Sequence, residues 1–381
     1  MQCFLQRSGR TDDRRRAAQG EGASNPNMSE CARGFTLRPE KRRDLARLAL
    51  QRQLRVDGRV ERGLVMAVAC LSIALVSVPT VAAQSRLDGE IVSLTPHAAL
   101  PTYEALDAFG QRYFSQRAEY EAALSQADFD VMDLHYASGG LDVPGVLIRP
   151  RDTGGRRWPA IIYNRGGSGD YGRLDHLAIV EMLLLARAGF VLIASDYRFH
   201  GQTARQDPWG GADVDDVLNL VPAVRSLPYV DPERLFMLGQ SRGGMMTYLA
   251  LKRGAPMRAA AVTSGVSDLE ALGRYRPEFV NGNENMDGWA KLWPDYATRS
   301  AEHYRERSAV FWADQIRVPI LILASRTDKL VPADQALRLA EALQAKGATY
   351  ELQIYVDDGH GLPLNRADRI RRIVEWFSRA P

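Results

Sequence analysis

The sequence predicts an α/β fold with a mostly parallel central sheet, helices on both faces and a small lid insertion. Two observations carry this reading. From residue 160 onward, short apolar stretches alternate with helix-length amphipathic ones, as in parallel strands joined by crossover helices. Within that alternation, residues 235–244 read Leu-Phe-Met-Leu-Gly-Gln-Ser-Arg-Gly-Gly, a buried strand leading through a sharp turn at Ser241 into a helix.

Composition sets the frame. The 381 residues are 45% hydrophobic and 25% charged, a globular balance whose length allows two domains or one α/β enzyme domain. Residues 1–62 carry 15 Lys and Arg against 8 Asp and Glu, a net of +7, and the remainder has a net of −4. The basic balance belongs to the N-terminal extension, and the rest suggests no nucleic-acid partner. Cys3, Cys31 and Cys70 all precede residue 84. No thiolate metal site, disulfide or cysteine nucleophile is therefore expected downstream, and no cofactor is implied.

In chain order, residues 1–62 are basic, with little apolar periodicity, and are expected to be disordered. Residues 63–83 are uncharged, hold an apolar core over 64–78, and end Val81-Ala82-Ala83 after Pro79. They read as a signal peptide cleaved after Ala83, giving an exported, periplasmic or secreted protein with no stable membrane span after cleavage. An uncleaved anchor is the alternative, although the core is shorter than the roughly 20 residues a span requires. Translation is expected to start near Met66 or a little upstream. Residues 84–127 form an N-terminal helical segment in which Leu106, Phe109, Tyr113, Tyr120 and Leu124 suggest one or two amphipathic helices.

Residues 128–381 form the α/β domain. Stretches 129–136 and 143–148, on either side of Ser138-Gly139-Gly140, read as an antiparallel hairpin. Strands follow at 160–163, 190–195, 235–238, 259–263, 320–324 and 351–356, and helices at 176–188, 214–226, 245–251, 333–346 and 367–378. The stretch at about 268–314, rich in Asn, Tyr, Trp and Arg, reads as the lid. No internal repeat is present. Active groups of such a sheet belong at the carboxyl ends of its strands.

Ser241 lies between Gly239 and Gly243. With the strand before it and the helix after it, this reads as a nucleophile elbow rather than an ordinary glycine-rich turn; in such an elbow strand and helix approach too closely for side chains at the flanking positions. A serine needs a base, and the base needs an orienting acid; the chain order is serine, acid, histidine. Only His303 and His360 follow Ser241. His360, between two glycines directly after a strand, is the candidate base; His303, in a charged helix, reads as a surface residue. Asp328 follows the 320–324 strand and is the candidate acid, with Asp357 and Asp358 as rivals too close in sequence to reach the far edge of the ring. For the oxyanion the candidate N–H donors are those of Arg242 and Gly166, the latter in the glycine-rich loop after 160–163. Arg165 and Arg198 could bind a substrate carboxylate or pair structurally with Asp196 and the 213–216 acidic cluster.

Taken together, Gly239-Gln240-Ser241-Arg242-Gly243-Gly244, Ser195-Asp196-Tyr197-Arg198, residues 210–217, residues 307–314, Asp328-Lys329-Leu330-Val331-Pro332 and Gly359-His360-Gly361 resemble the catalytic domain of the prolyl oligopeptidase family of serine peptidases. The resemblance spans about 129–377. It implies a triad of Ser241, Asp328 and His360 that cleaves an amide or ester in a small-molecule, short-peptide or ester substrate through an acyl-enzyme. The chain departs from the family in two ways. Residues 84–129 are too few for the β-propeller that commonly precedes this domain, and Arg165-Gly166-Gly167-Ser168 stands where the family often has His-Gly-Gly-Pro. A carboxylesterase with the same triad and a non-catalytic binding protein on a hydrolase fold are the alternatives.

Overall fold

A computed structural model describes residues 86–125, 128–284 and 286–380. The basic extension expected over 1–62 and the signal peptide expected over 63–83 lie outside these residues.

The strands are β1 (Ile91–Pro96), β2 (Phe129–Ser138), β3 (Leu141–Pro150), β4 (Trp158–Asn164), β5 (Val191–Ser195), β6 (Val230–Gln240), β7 (Ala259–Thr263), β8 (Ile320–Ser325) and β9 (Tyr350–Tyr355). They form one sheet ordered β1-β2-β3-β5-β4-β6-β7-β8-β9. Pairing is antiparallel from β1 through β2 and β3 to β5, and parallel from β5 onward to β9. The mostly parallel α/β sheet expected from the alternating pattern is therefore present, with the hairpin as β2 and β3. Strand β1 was not expected. Half of its six side chains are exposed, so it lacks an apolar signal and is defined by main-chain pairing to β2, across an irregularity between Ile91 and Ser93.

Each strand sends alternate side chains to opposite faces. Ile161, Leu192, Phe236 and Leu323 pack in one buried layer with α2 (Arg117–Leu124), α3 (His176–Arg187) and the C-terminal α11 (Arg366–Arg379). Ile162, Ile193, Met237 and Ile322 pack in the other, with α4 (Asp213–Arg225), α5 (Arg242–Lys252) and α10 (Asp334–Ala345). Asp175 starts α3 by accepting from the N–H groups of Leu177 and Ala178 at 3.0 Å each. None of the described helices is long and apolar enough to cross a membrane.

The N-terminal segment folds as α1 (Ala108–Tyr113) and α2, interrupted at Phe114. The periodicity is only partly followed: Phe109 is 57% exposed, whereas Phe114 is fully buried. The break rotates the second helix relative to the first, so a single helical stripe cannot serve both. A buried ion cluster fastens this segment to the body. Arg366 bonds Glu181 at 2.6 Å, Glu119 at 3.0 Å and the Tyr113 carbonyl at 2.5 Å, and its guanidinium lies over the Phe114 ring. Arg369 bonds the other oxygen of Glu181. Burial works to raise the Glu181 carboxyl, but Arg369 and Arg366 outweigh it and hold it below its ordinary range.

Glu181→Ala leaves two buried guanidinium groups without their shared anion. We expect it to lower the unfolding free energy by about 3–5 kcal/mol in urea titrations near neutral pH. Because the folded pKa lies below the unfolded one, this contribution is present above the unfolded value of about 4.3 and is lost as pH falls through the folded one. The wild-type advantage should therefore shrink in acid.

The insertion between β7 and β8 is helical: α6 (Leu269–Tyr275), α7 (Glu278–Asn281), α8 (Trp289–Leu292) and α9 (Tyr296–Arg307). Phe279, Trp289, Trp293 and Tyr304 of the insertion pack ring against ring with one another and with Trp209 from outside it, with centroids 5.0 to 6.0 Å apart. His303 is buried, contrary to the surface position expected for it. Its Nε2–H donates to the Pro294 carbonyl at 2.6 Å, and its ring lies 5.4 Å from that of Trp293. The charged residues beside it face outward, while one stripe of α9 closes over the aromatic cluster.

Candidate active site

Strand β6 ends at Gln240 and α5 begins at Arg242, leaving Ser241 alone in the turn with φ 57° and ψ −125°. A non-glycine residue in this region carries about 1–3 kcal/mol of strain and persists only where its surroundings hold it. Here the Ser241 N–H donates to the Thr263 carbonyl at 2.9 Å, and the Ser241 carbonyl accepts from Gly244 at 2.9 Å and from Val266 at 3.2 Å. The neighbouring glycines are required by contact. A Cβ on Gly239 would overlap the Gly243 carbonyl oxygen, and one on Gly243 would overlap the Asn164 carbonyl oxygen. The turn is thus wedged between the ends of β4 and β7, with the serine at the carboxyl edge of the sheet.

Asp328 follows β8 and is buried. Its Oδ1 accepts from the N–H groups of Leu330 at 2.8 Å and Val331 at 3.0 Å, which leaves Oδ2 for His360 Nδ1 at 2.8 Å. Burial works to raise this carboxyl, but the His360 hydrogen bond and charge, together with the two N–H donors, outweigh it and hold it below its ordinary range. The rival acids are otherwise engaged. Asp357 is exposed and pairs with Arg326. Asp358 folds the histidine loop, accepting from Gly359 and Leu364 at Oδ1 and from Asn365 at Oδ2.

The histidine loop reaches the elbow. A Cβ on Gly361 would fall 2.5 Å from Gln240 Nε2, so the residue after His360 lies against the residue before Ser241. On the other side of the serine, a Cβ on Gly166 would lie 3.1 Å from Ser241 Cβ and 3.6 Å from its Oγ. Among the described residues, neither the Gly166 N–H nor the Arg242 N–H meets a backbone carbonyl. The second sits at the first position of α5, where a helix leaves its donors free and its dipole favours negative charge.

Arg165 and Arg198 are structural. Arg165 is 1% exposed and donates to the carbonyls of Gly166 at 3.0 Å, Gly169 at 2.9 Å and Asp196 at 2.7 Å. Arg198 pairs with Asp216 at 2.7 Å. Two features escaped the sequence reading: the side chain of Arg242, buried among Asp207, Asp213 and Gly167, and Tyr113, which approaches the loop of His360. For the first, the only available signal was an arginine opening a mostly apolar elbow helix.

Residues 176–380 match the prolyl oligopeptidase family, Peptidase_S9. The chain is similar to the uncharacterized peptidase YuxL of Bacillus subtilis, 27% identical over 264 residues that make up 64% of this chain and 38% of that protein. It is also similar to the uncharacterized peptidase YtmA of the same organism, 26% identical over 64% of this chain and 91% of that protein. Among solved structures it resembles Pyrococcus horikoshii acylaminoacyl peptidase, with a TM-score of 0.55 and 26% identity over 66% of this chain and 42% of that one. The chain thus spans about two fifths of two of these relatives and nearly the whole of the third.

Proposed function

Because the chain belongs to the prolyl oligopeptidase family and is a serine hydrolase, we propose that it cleaves short peptides or related amides through an acyl-enzyme on Ser241, with His360 as general base and Asp328 as its orienting acid. The observation that carries this reading is the pairing of Asp328 with His360 Nδ1 in a loop whose next residue lies against the neighbour of the strained serine. With Nδ1–H committed to the carboxylate, Nε2 carries the lone pair that a general base needs. Ser241 Oγ attacks the substrate carbonyl carbon as its proton passes to Nε2. The carbonyl oxygen becomes an oxyanion received by the N–H groups of Arg242 and Gly166. The intermediate collapses as His360 returns the proton to the leaving amine, and water, activated by the same base, then releases the acid and restores Ser241.

The peptide preference is supported by the relatives, of which YtmA, 91% of whose length matches 64% of this chain, is described as an uncharacterized peptidase. A fluorophosphonate probe should label wild-type protein stoichiometrically and leave Ser241→Ala unlabelled. Absence of a Ser241-dependent adduct on folded protein would sink the reading in favour of a binding protein on a hydrolase fold. Turnover of small aryl esters but not of peptide anilides would transfer the assignment to a carboxylesterase with the same triad.

A further inference from the structure

The helix that follows the elbow opens with an arginine whose side chain turns back into the protein. Arg242 is 1% exposed. Its Nη1 donates to Asp207 Oδ2 at 2.6 Å and to the Gly167 carbonyl at 2.8 Å. Its Nη2 donates to Asp207 Oδ1 at 2.7 Å and Asp213 Oδ2 at 2.5 Å. Both carboxylates are anchored by main chain. Asp207 accepts from the N–H groups of Gly169 and Trp209, and Asp213 from those of Gly210 and Gly211. The guanidinium lies between the rings of Tyr197 and Trp209, with centroids 5.4 and 5.3 Å away.

What this side chain holds is the loop that carries Gly166. Three consecutive peptide units there are fastened through their carbonyls. The Arg165 carbonyl, in the same peptide plane as the Gly166 N–H, accepts from the Tyr197 hydroxyl at 3.2 Å. The Gly166 carbonyl accepts from Arg165 Nη1 at 3.0 Å, and the Gly167 carbonyl accepts from Arg242 Nη1 at 2.8 Å. Gly167 has φ 71° and the Gly166-Gly167 pair has no side chains to restrict it, so these bonds, together with its packing against Tyr171 and Gly172, set its orientation. One residue therefore supplies one oxyanion donor from its backbone and fixes the neighbour of the other with its guanidinium.

We infer that Arg242, gripped by Asp207 and Asp213, is a positioning residue that sets the separation of the two oxyanion donors, and so acts on the transition state more than on substrate binding. This rests on the oxyanion role proposed above for Arg242 and Gly166. An oxyanion hole works only while its donors stand about 2.7–3.1 Å from the developing charge, and loss of one such donor lowers kcat by about 100- to 1000-fold. A loop released by one bond should lose part of that.

The test compares wild type, Arg242→Met, Arg242→Lys and Asp207→Asn for kcat and KM on an aryl ester, with fluorophosphonate labelling rate and urea midpoint measured on the same preparations. For Arg242→Met we expect kcat about 100-fold lower with KM changed by less than about threefold, and for Asp207→Asn a fall in kcat of about tenfold. Arg242→Lys keeps the charge but not the fork and should recover part of the loss. Labelling should slow in parallel, because the phosphonyl oxygen occupies the same hole. If the methionine variant does not fold, the asparagine and lysine variants decide by the same criteria. A kcat within about threefold of wild type in folded variants, whatever their stability, would overturn the inference and leave a packing role. A raised KM at constant kcat would also overturn it, because the arginine would then act on bound substrate. A wild-type protein that neither labels nor turns over refutes the serine mechanism itself, a result distinct from active wild type with unimpaired variants.

Discussion

Ser241→Ala and His360→Ala should each lower kcat by about a million-fold, and the double variant should be no worse than either alone. In the proposed mechanism the serine oxygen bonds to the substrate and the imidazole takes its proton, so removing either stops the same step. What remains is the background that the proposed oxyanion donors and substrate binding provide, on the order of a thousandfold over water. Stability should change little in Ser241→Ala. The elbow is held by main-chain bonds of residue 241 to Thr263, Gly244 and Val266, which alanine retains. Steady-state kinetics on the single and double variants, with circular dichroism to establish folding, check this. A Ser241→Ala protein retaining more than about one percent of wild-type turnover would remove the serine from the mechanism.

Asp328→Asn should reduce kcat by about ten thousandfold while preserving the shape of the site. The structure explains why the amide cannot adapt. Asp328 Oδ1 accepts from two backbone N–H groups, those of Leu330 and Val331. An asparagine at 328 keeps its carbonyl oxygen on that side, because turning it over would set its NH2 against both donors. The NH2 then faces His360 Nδ1 and converts it from donor to acceptor. The ring proton moves to Nε2, where the lone pair should be, and the base is held in the wrong tautomer. Stability carries a second signature. Since the folded Asp328 carboxyl lies below its ordinary range, it stabilises the protein above its unfolded value of about 3.9, and that contribution disappears as pH falls through the folded value. The wild-type and Asp328→Asn unfolding free energies should therefore differ by a constant amount near neutrality and converge in acid.

Much of this site could be read from the sequence because its parts lie at landmarks that local pattern reveals. Gly239 and Gly243 mark the elbow, since strand and helix cross there with no room for a Cβ. Asp328 follows the apolar run of β8, and His360 follows the alternating stretch of β9. Residues 160–163 announce β4, and the glycines after it announce a loop beside the serine. The same signals are weak where exposure is mixed, as in β1, and misleading where a charged-looking helix buries one stripe, as with His303 in α9.

The sequence by itself determined the parallel sheet, its two helical faces and the chain order of the candidate serine, aspartate and histidine, because hydrophobic period and glycine spacing are local properties of a chain. Tertiary structure alone decided which charges are buried. Nothing near Glu181 predicts Arg366 and Arg369, and nothing near Arg242 predicts Asp207, Asp213 and the Gly167 carbonyl. Arginine, aspartate and glutamate look alike on a surface and in a core, and burial of any one of them is tolerable only when folding brings its counter-charge alongside.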